Sequence, residues 1–189
     1  MPYLSKKYLN ELYTKRRRFF DSTTINESYS TIKKDDMFDI FLSYSYSDKE
    51  YAKKIYALLT EEGFSVYIDL NDEMLDRNDT GRKTAKRLAN IMDHCRSLIY
   101  VHTASAKVSK WCPWELGYMS GIRDFRCGII PLLEDKEEFP HQEYLELYPV
   151  VDYEKQKNSS NYYFWANIYG TNKYVRLKEY INGSNPYIH

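Results

Sequence analysis

The chain has few cysteines, and their number and spacing exclude two kinds of stabilised small domain. Cys95, Cys112 and Cys127 are an odd number in 189 residues, and no two of them lie close together in the sequence. A disulfide framework needs paired cysteines, and a structural zinc site needs closely spaced cysteine or histidine ligands. A reducing compartment is the simplest setting for such a chain, so we expect a cytoplasmic protein.

The chain also lacks net charge and long apolar runs. It carries 27 basic and 27 acidic residues, so its overall charge does not favour nucleic acid or an anionic membrane as a partner. No run approaches the roughly eighteen apolar residues of a membrane span, and the N-terminus lacks the apolar stretch of a signal peptide. We therefore expect neither nucleic acid nor a membrane among the partners.

Two kinds of ligand site lack their usual motifs. There are seven glycines, and they form no glycine-rich phosphate loop of either standard type. The four histidines have no metal-ligand spacing, so no metal site is expected. A magnesium-binding receiver domain does not fit either, because it needs acids after its first strand. That position reads "SYSYSD", and its Asp48 is better placed to cap a helix.

From residue 37 onward, apolar segments typical of strands alternate with segments of helical periodicity. This alternation predicts βαβ crossovers, and hence an α/β fold with a parallel sheet and helices on both faces. The predicted strands are 37–45, 64–70, 97–103, 127–133 and an edge strand at 148–153; the predicted helices are 49–63, 82–95 and 113–124.

The two ends of the chain differ from this alternating part. Leu4, Tyr8 and Leu12 fall on one face of a predicted basic helix, and a polar linker follows it. Near the other end, residues 162–183 are predicted to form a closing helix, broken near Gly170. The expected division is an N-terminal helical extension with linker (1–35), one α/β domain (36–183) and a tail (184–189).

One rim of the predicted sheet collects the polar residues that could bind a ligand. In open parallel sheets, ligands lie beyond the carboxyl ends of the strands. This rule places residues 43–47, Asp69 and residues 103–115 on the same rim. Trp111 and Glu115 are four residues apart there, so in a helix both would point to the same side.

A cysteine nucleophile is one alternative for the chemistry of this rim. Cys112 would need a histidine base, and His102 at the end of the third predicted strand could approach it. The other interpretation is that both residues are packed in the core.

Two segments resemble the TIR (Toll/interleukin-1 receptor) domain family. "FDIFLSYSYSDKEYAKKIYALLTEEGFSVYID" is similar to the first TIR motif with its helix and second strand. "SAKVSKWCPWEL" resembles the segment that carries the catalytic glutamate of TIR NADases, and Trp111 and Glu115 match its Trp-x-x-x-Glu spacing. The resemblance extends over about residues 37–182 and implies a flavodoxin-like three-layer fold with five parallel strands.

The resemblance also implies roles for single residues. Glu115 would be the catalytic glutamate, Tyr44 and Ser45 would line the pocket after the first strand, and Tyr67 would occupy an aromatic position of the second strand. Residues 70–82 would be the BB loop, through which TIR domains contact one another.

Three further residues complete the expected substrate-binding set: Ser43, Asp69 and Trp111. Ser43 and Asp69 lie on the predicted rim, and Trp111 would supply an aromatic wall. Each expectation has a structural alternative. Tyr44, Tyr67 and Trp111 could be ordinary packing residues, Asp69 could order its loop, and Glu115 could simply favour the start of its helix.

The activity that the resemblance implies is cleavage of the nicotinamide–ribose bond of NAD⁺, which would be the substrate, with no cofactor required. One carboxylate is adequate for this bond because nicotinamide departs without needing a proton donor, whereas ordinary glycoside hydrolysis uses two acids. The product would be an ADP-ribose-derived signal that reaches a separate effector, as in Thoeris-type anti-phage defence. The alternatives are an adaptor that acts by TIR–TIR association and a hydrolase of another nucleoside.

Overall fold

A computed structural model describes residues 4–22, 37–70, 81–134 and 143–188. Within these ranges the strands form one eight-stranded sheet in the order β2-β1-β3-β4-β5-β6-β7-β8. Their bounds are β1 Phe38–Ser43, β2 Val66–Tyr67, β3 Cys95–His102, β4 Cys127–Pro131, β5 Val150–Lys155, β6 Tyr162–Asn167, β7 Lys173–Arg176 and β8 Tyr187–Ile188.

The first five strands are parallel, as predicted, and the last three are antiparallel. The parallel order 2-1-3-4-5 is that of flavodoxin-like sheets, in which the chain starts near the middle and winds outward in both directions. The α/β class and the parallel topology predicted from the sequence are therefore confirmed.

Seven helices are found among the described residues. They are α1 Lys6–Lys15, α2 Arg17–Ser22, α3 Lys49–Glu61, α4 Arg82–Met92, α5 Ala104–Lys107, α6 Cys112–Ile122 and α7 Leu177–Ile181. Short 3₁₀ turns occupy Tyr46–Asp48 and Glu143–Leu147. None of the helices in the described ranges has the length and apolar character needed to cross a membrane.

Helices cover the sheet on both faces and bury two apolar clusters. The cluster under α3 contains Ile55 and Leu59 of that helix, with Leu42 and Val101 of the sheet. The cluster on the other face is formed with α4 and α6. It contains the predicted inward residues Leu88, Ile91 and Met92, and Leu116 and Met119. Burying both faces explains why the parallel strands have continuous apolar runs without alternation.

The N-terminal extension packs onto the same domain. Leu4 and Leu9 are buried in the cluster under α3, and Tyr8 and Leu12 pack against it, which confirms the predicted apolar face of α1. Ser5 Oγ accepts a hydrogen bond from the Tyr8 backbone amide and caps this helix. The extension therefore contributes to the core that also holds the central strands.

The prediction of a closing helix is wrong for residues 162–176, which form β6 and β7. Helix forms only at α7. The alternation in β6 buries Phe164 and Ala166 while Tyr163 and Trp165 stay half-buried, which is the period of a strand. Aromatic residues also favour strands over helices. Gly170 has φ +71°, the left-handed conformation in which glycine is favoured, in the turn that joins the two strands.

This change also corrects the predicted edge position of β5. β5 lies between β4 and β6 and pairs in parallel with the first and antiparallel with the second. Pro149, which argued for an edge strand, precedes β5 and contributes only its carbonyl, which accepts a hydrogen bond from the Ile129 amide at 3.0 Å.

Candidate functional site

Glu115 and Ser43 meet beyond the carboxyl end of β1. Ser43, the last residue of β1, donates a hydrogen bond from Oγ to Glu115 Oε2 at 2.5 Å. Glu115 lies in the first turn of α6, and both side chains are completely buried. The residues are 72 positions apart in the sequence, so the crossover from β1 through β3 to α6 brings them together.

The start of α6 is fixed by groups that leave Glu115 facing the sheet. Ser109 Oγ accepts hydrogen bonds from the backbone amides of Trp111 and Cys112, each at 3.3 Å, and so satisfies the amides of the residue before α6 and of its first residue. Pro113 lies at the first helical positions, as predicted, where its missing amide proton carries no penalty. The Glu115 amide then donates to the Trp111 carbonyl at 2.8 Å, which closes the first turn.

The polar groups on β3 behind Glu115 remain neutral. Burial raises the pKa of the Tyr100 phenol, and the neighbouring Cys112, Tyr144 and Glu115 raise it further. Burial and then the charge of Lys107 lower the pKa of His102 to about 4. The Tyr100 hydroxyl lies 3.4 Å from His102 Nδ1. At neutral pH a protonated phenol and a neutral imidazole therefore stand behind the carboxylate, and neither adds a charge.

A cavity of about 410 Å³ lies at the same rim, lined by residues that follow Ser43 and by residues that precede Glu115 in the sequence. Ser43 and Glu115 themselves are not among the described residues that line it. One wall, here called wall A, is residues 45–47 after β1. The other, wall B, is formed by five residues of the segment between β3 and α6. Serine hydroxyls, one lysine and aromatic rings line the space together: Ser45, Tyr46, Ser47, Ser105, Val108, Ser109, Lys110 and Trp111.

Trp111 serves both the cavity and the core. Its side chain is 7% exposed and belongs to the apolar cluster under α6, and it also lines the cavity. Its ring contacts Trp114 edge-to-face at 5.5 Å, and Trp114 stacks on Tyr118. The two interpretations of Trp111 from the sequence, pocket wall and core residue, therefore describe two sides of the same ring.

The two walls are joined by a buried hydrogen bond. Thr103 Oγ1, directly after β3, donates to Asp48 Oδ2 at 2.6 Å, and the two residues are 3% and 6% exposed. Asp48 occupies the residue before α3, as predicted, but its side chain does not cap that helix. Its carboxylate instead accepts the hydrogen bond from the Thr103 hydroxyl, which lies on the opposite side of the cavity rim.

The other predicted substrate-binding residues lie in different places. Ser45 lines the cavity, and its hydroxyl is 3.1 Å from Ser47 Oγ. Tyr44 is buried in the cluster under α3, which is the face opposite Glu115. Tyr67 is buried on the Glu115 face and stacks on Phe41 at 5.5 Å. Among the described residues, neither tyrosine lines the cavity.

Asp69 lies at the same rim, directly before the predicted BB loop in the sequence. Asp69 lies just after β2, is 8% exposed, and is not among the described residues that line the cavity. Residues 71–80, most of the predicted BB loop, lie outside the described residues, and α4 begins at Arg82 directly after them.

The cysteine alternative does not fit the structure. Cys112 is fully buried in the apolar cluster under α6, and His102 is buried with its Nδ1 3.4 Å from the Tyr100 hydroxyl, so both pack in the core as the other interpretation expected. Within the described ranges, no group of three or more histidine, cysteine, aspartate and glutamate side chains could hold a metal ion.

Of the residues predicted from the sequence, four lie at this rim: Ser43, Ser45, Trp111 and Glu115. Sequence reasoning did not find the Asp48–Thr103 pair. A threonine directly after a buried strand and before a helix is a helix-capping signal. Thr103 Oγ1 does accept from the Ala106 amide at 2.9 Å. Its second hydrogen bond, to Asp48, spans 55 positions, and no local pattern predicts it.

The fold and site together define a class of protein. It is a doubly wound α/β protein with the buried Ser43–Glu115 pair at the point where the chain reverses its winding direction, between β1 and β3, and with a hydroxyl-lined cavity at the same rim.

Comparison with known proteins identifies the family within that class. The family model of the TIR domain matches residues 40–163. A protein of Bacillus cereus named "Probable 3' cyclic ADP-D-ribose synthase ThsB'" is 35% identical over 164 residues, which cover 83% of this chain and 82% of that protein. The chain belongs to the TIR domain family.

The comparison also found two more distant similarities. A Cytobacillus dafuensis protein named "Putative cyclic ADP-D-ribose synthase TIR2" is 25% identical over 91 residues, covering 47% of this chain and 24% of that protein. The crystal structure of a Toll-related receptor TIR domain from Hydra magnipapillata is 19% identical, with a TM-score of 0.41, covering 56% of this chain and 77% of that one.

Proposed function

We propose that this protein cleaves the nicotinamide–ribose bond of NAD⁺ and releases an ADP-ribose-derived product, with Glu115 as the catalytic residue. The observation that carries the proposal is the buried carboxylate of Glu115, held by Ser43 one helical turn from Trp111, which lines the cavity. The name of the Bacillus cereus relative, a cyclic ADP-D-ribose synthase, supports the same chemistry.

A single carboxylate suits this reaction. The nicotinamide ring of NAD⁺ is cationic and leaves neutral, so the departure needs no proton donor. The remaining requirement is to stabilise positive charge as it develops on the ribose, and a fixed carboxylate shielded from water does this by its field and by hydrogen bonds to ribose hydroxyls. The Ser43 hydroxyl fixes the orientation of the Glu115 carboxylate before substrate binds. NAD⁺ is thus the substrate, and the proposal requires no further cofactor.

The acceptor that attacks the ribose decides the product. Water gives ADP-ribose, whereas a hydroxyl or base nitrogen of the same molecule gives a cyclic product, because proximity favours the internal nucleophile. Trp111 offers an aromatic surface at the cavity on which a base can stack. We therefore favour a cyclic ADP-ribose product that acts as a diffusible signal to a separate effector in anti-phage defence.

Product analysis with matched variants tests the proposal. The purified chain is incubated with NAD⁺, with and without lysate from phage-infected cells, and nicotinamide and ADP-ribose products are measured by mass spectrometry. Glu115→Gln, which keeps the shape of the side chain, is expected to reduce nicotinamide release by at least about 100-fold. Glu179→Gln, an exposed change in α7, is the control and should behave as the wild type.

Two results would contradict an enzymatic role. The first is no nicotinamide release by the wild-type chain under either condition. The second is equal release by Glu115→Gln and the wild type.

Association with other TIR domains is a second function that one observation favours. Tyr46 and Val108 line the cavity mouth and are 57% and 80% exposed, a combination of apolar character and exposure that is typical of contact surfaces. Light scattering on the wild type and on Val108→Glu measures this directly. A wild type that remains monomeric at all concentrations would exclude self-association through this surface, and an adaptor role would leave Glu115→Gln functional in cells.

A further inference from the structure

Thr103 connects the two walls of the cavity through three hydrogen bonds. Its hydroxyl donates to Asp48 Oδ2 at 2.6 Å and accepts from the Ala106 amide at 2.9 Å, and its carbonyl accepts from the Lys107 amide at 3.0 Å. The last two bonds begin α5, which carries Ser105 of wall B and leads into the other four residues of that wall. The first reaches the residue that follows wall A.

Asp48 holds the other end of this connection rigidly. Its backbone amide donates to the Ser45 carbonyl at 2.8 Å, which closes the turn that forms wall A. Its carboxylate is buried, so the hydroxyl of Thr103 replaces water that the fold excludes. The charge of Asp48 also acts on Lys6 of α1. Burial lowers the pKa of Lys6, but the hydrogen bond and charge of Glu134, together with Asp48, outweigh it and leave the pKa raised.

We propose that Thr103 is a positioning residue that sets the separation of the two cavity walls through Asp48, and thereby the affinity for the substrate. This inference rests on the proposed NAD⁺ cleavage for its kinetic consequence only. The Thr103 hydroxyl does not contact the cavity directly, since Thr103 is 3% exposed and is not among the described residues that line the cavity. Its effect reaches the substrate through residues 45–47 on one side and residues 105–111 on the other.

The consequence of removing the hydroxyl is specific. Thr103→Val keeps the shape of the side chain and removes both bonds of Oγ1, so Asp48 loses the donor that faces its buried carboxylate. A carboxylate in that position moves toward water, and the turn at residues 45–47 moves with it. Glu115 is held separately by Ser43 and keeps its place. Substrate binding should therefore weaken more than the chemical step.

Kinetics with a rescue series tests this split. For Thr103→Val we expect KM for NAD⁺ to rise about tenfold, with kcat changed by less than about threefold. Thr103→Ser retains the hydroxyl, and Asp48→Asn retains an oxygen acceptor, so both should stay near wild-type KM. Asp48→Ala should resemble Thr103→Val. Thr60→Val is the control, because it also removes a threonine hydroxyl. That hydroxyl donates to the Tyr56 and Ala57 carbonyls within α3, and Thr60 is not among the described residues that line the cavity.

Hydrogen–deuterium exchange of the full chain without substrate tests the connection independently of activity. Thr103→Val removes the acceptor of the Ala106 amide, so faster exchange near residue 106 would follow from lost capping alone. The informative segment is 45–48, across the cavity: its exchange should rise in Thr103→Val and Asp48→Ala, and remain unchanged in Thr60→Val and Thr103→Ser.

The outcomes separate this inference from the proposed function. A wild type that releases no nicotinamide contradicts the proposed function, while the exchange of segment 45–48 still decides whether Thr103 joins the walls. Unchanged exchange of that segment in Thr103→Val overturns the inference. So does an unchanged KM, including the case in which kcat alone falls in proportion to the fraction of folded protein.

Discussion

Ser43 at the end of β1 and Glu115 in the first turn of α6 share a hydrogen bond of 2.5 Å between Oγ and Oε2, in a region closed to solvent. The bond links the strand that begins the sheet to the helix that follows β3, so it forms only when the parallel core is complete. The position of the carboxylate is thus determined by the packing of the whole sheet. This relationship makes Ser43 the first residue to change after Glu115 itself.

Ser43→Ala is expected to lower kcat for nicotinamide release about 10- to 100-fold, because the carboxylate loses a charge-assisted hydrogen bond that fixes its orientation. Steady-state kinetics with NAD⁺ measures the effect. Ser65→Ala is the matched control, since Ser65 Oγ also donates to a carboxylate, Asp39 Oδ2, but at an exposed site. Equal kinetics for both variants would show that the Ser43 bond does not serve catalysis.

Trp111→Ala is expected to raise KM for NAD⁺ about tenfold and to shift the product toward linear ADP-ribose. The reason is that stacking of a base on an aromatic ring contributes about 1–3 kcal/mol and holds an internal nucleophile close to the ribose. Trp111→Phe should retain most of both properties. Products are quantified by chromatography and mass spectrometry, with Trp114→Phe as the control outside the cavity. A cyclic-to-linear ratio that Trp111→Ala leaves unchanged would remove Trp111 from product control.

Asp152 should make the folded chain less stable as pH rises. Burial raises the pKa of this β5 carboxyl to about 7, the charge of Glu154 adds to the rise, and Asn167 opposes it. The folded chain then keeps a proton that the unfolded chain loses near pH 4. Stability is therefore fully present below about pH 4 and falls progressively as pH rises toward 7.

Asp152→Asn removes this dependence, so its advantage over the wild type should grow between pH 4.5 and 7.5. Urea unfolding at the two pH values measures the difference between variant and wild type, in which the other titrating groups cancel. Parallel stability curves for the two proteins would contradict a raised pKa at Asp152.

Leu9→Ala in α1 should lower the free energy of unfolding by about 2–4 kcal/mol, because Leu9 is completely buried in the cluster under α3. Thermal and urea unfolding should retain a single transition, since the extension shares the core of the sheet. Leu147→Ala is the control, as Leu147 is 64% exposed. An early separate transition in the wild type would indicate instead that the extension folds as an independent unit.

The parallel half of the sheet could be predicted because its signals are local. Apolar runs such as "FDIFLS" and "SLIYVH" identify buried strands without any knowledge of the tertiary structure. Helix α4 could be predicted from the spacing of Leu88, Ile91 and Met92. The prediction failed for residues 162–176, because a helix face can also bury aromatic residues and their spacing alone did not exclude a helix. Only pairing with β5 selects the strand, through contacts such as Tyr153 against Phe164.

The candidate site divides in the same way. Glu115 and Trp111 were assigned from the resemblance of their segment to the TIR glutamate motif, and their four-residue spacing is that of two side chains on one side of a helix. For Tyr44 and Tyr67 the sequence left two positions open, the substrate pocket that the resemblance implies and the core, since a strand tyrosine can face either. The burial of Tyr44 under α3 and of Tyr67 against Phe41 was decided by which helix covers each face. The Asp48–Thr103 bond was likewise invisible to any local pattern.

The sequence by itself determined the alternation of strands and helices, the rim that holds the polar residues, and the residue types available there for chemistry. These follow from short-range periodicity and from the rule that parallel strands end on one edge. Tertiary structure alone decided which of those residues meet. Ser43 with Glu115, and Asp48 with Thr103, are 72 and 55 residues apart. Such pairs are set by strand order and helix packing, which depend on the burial of the whole core.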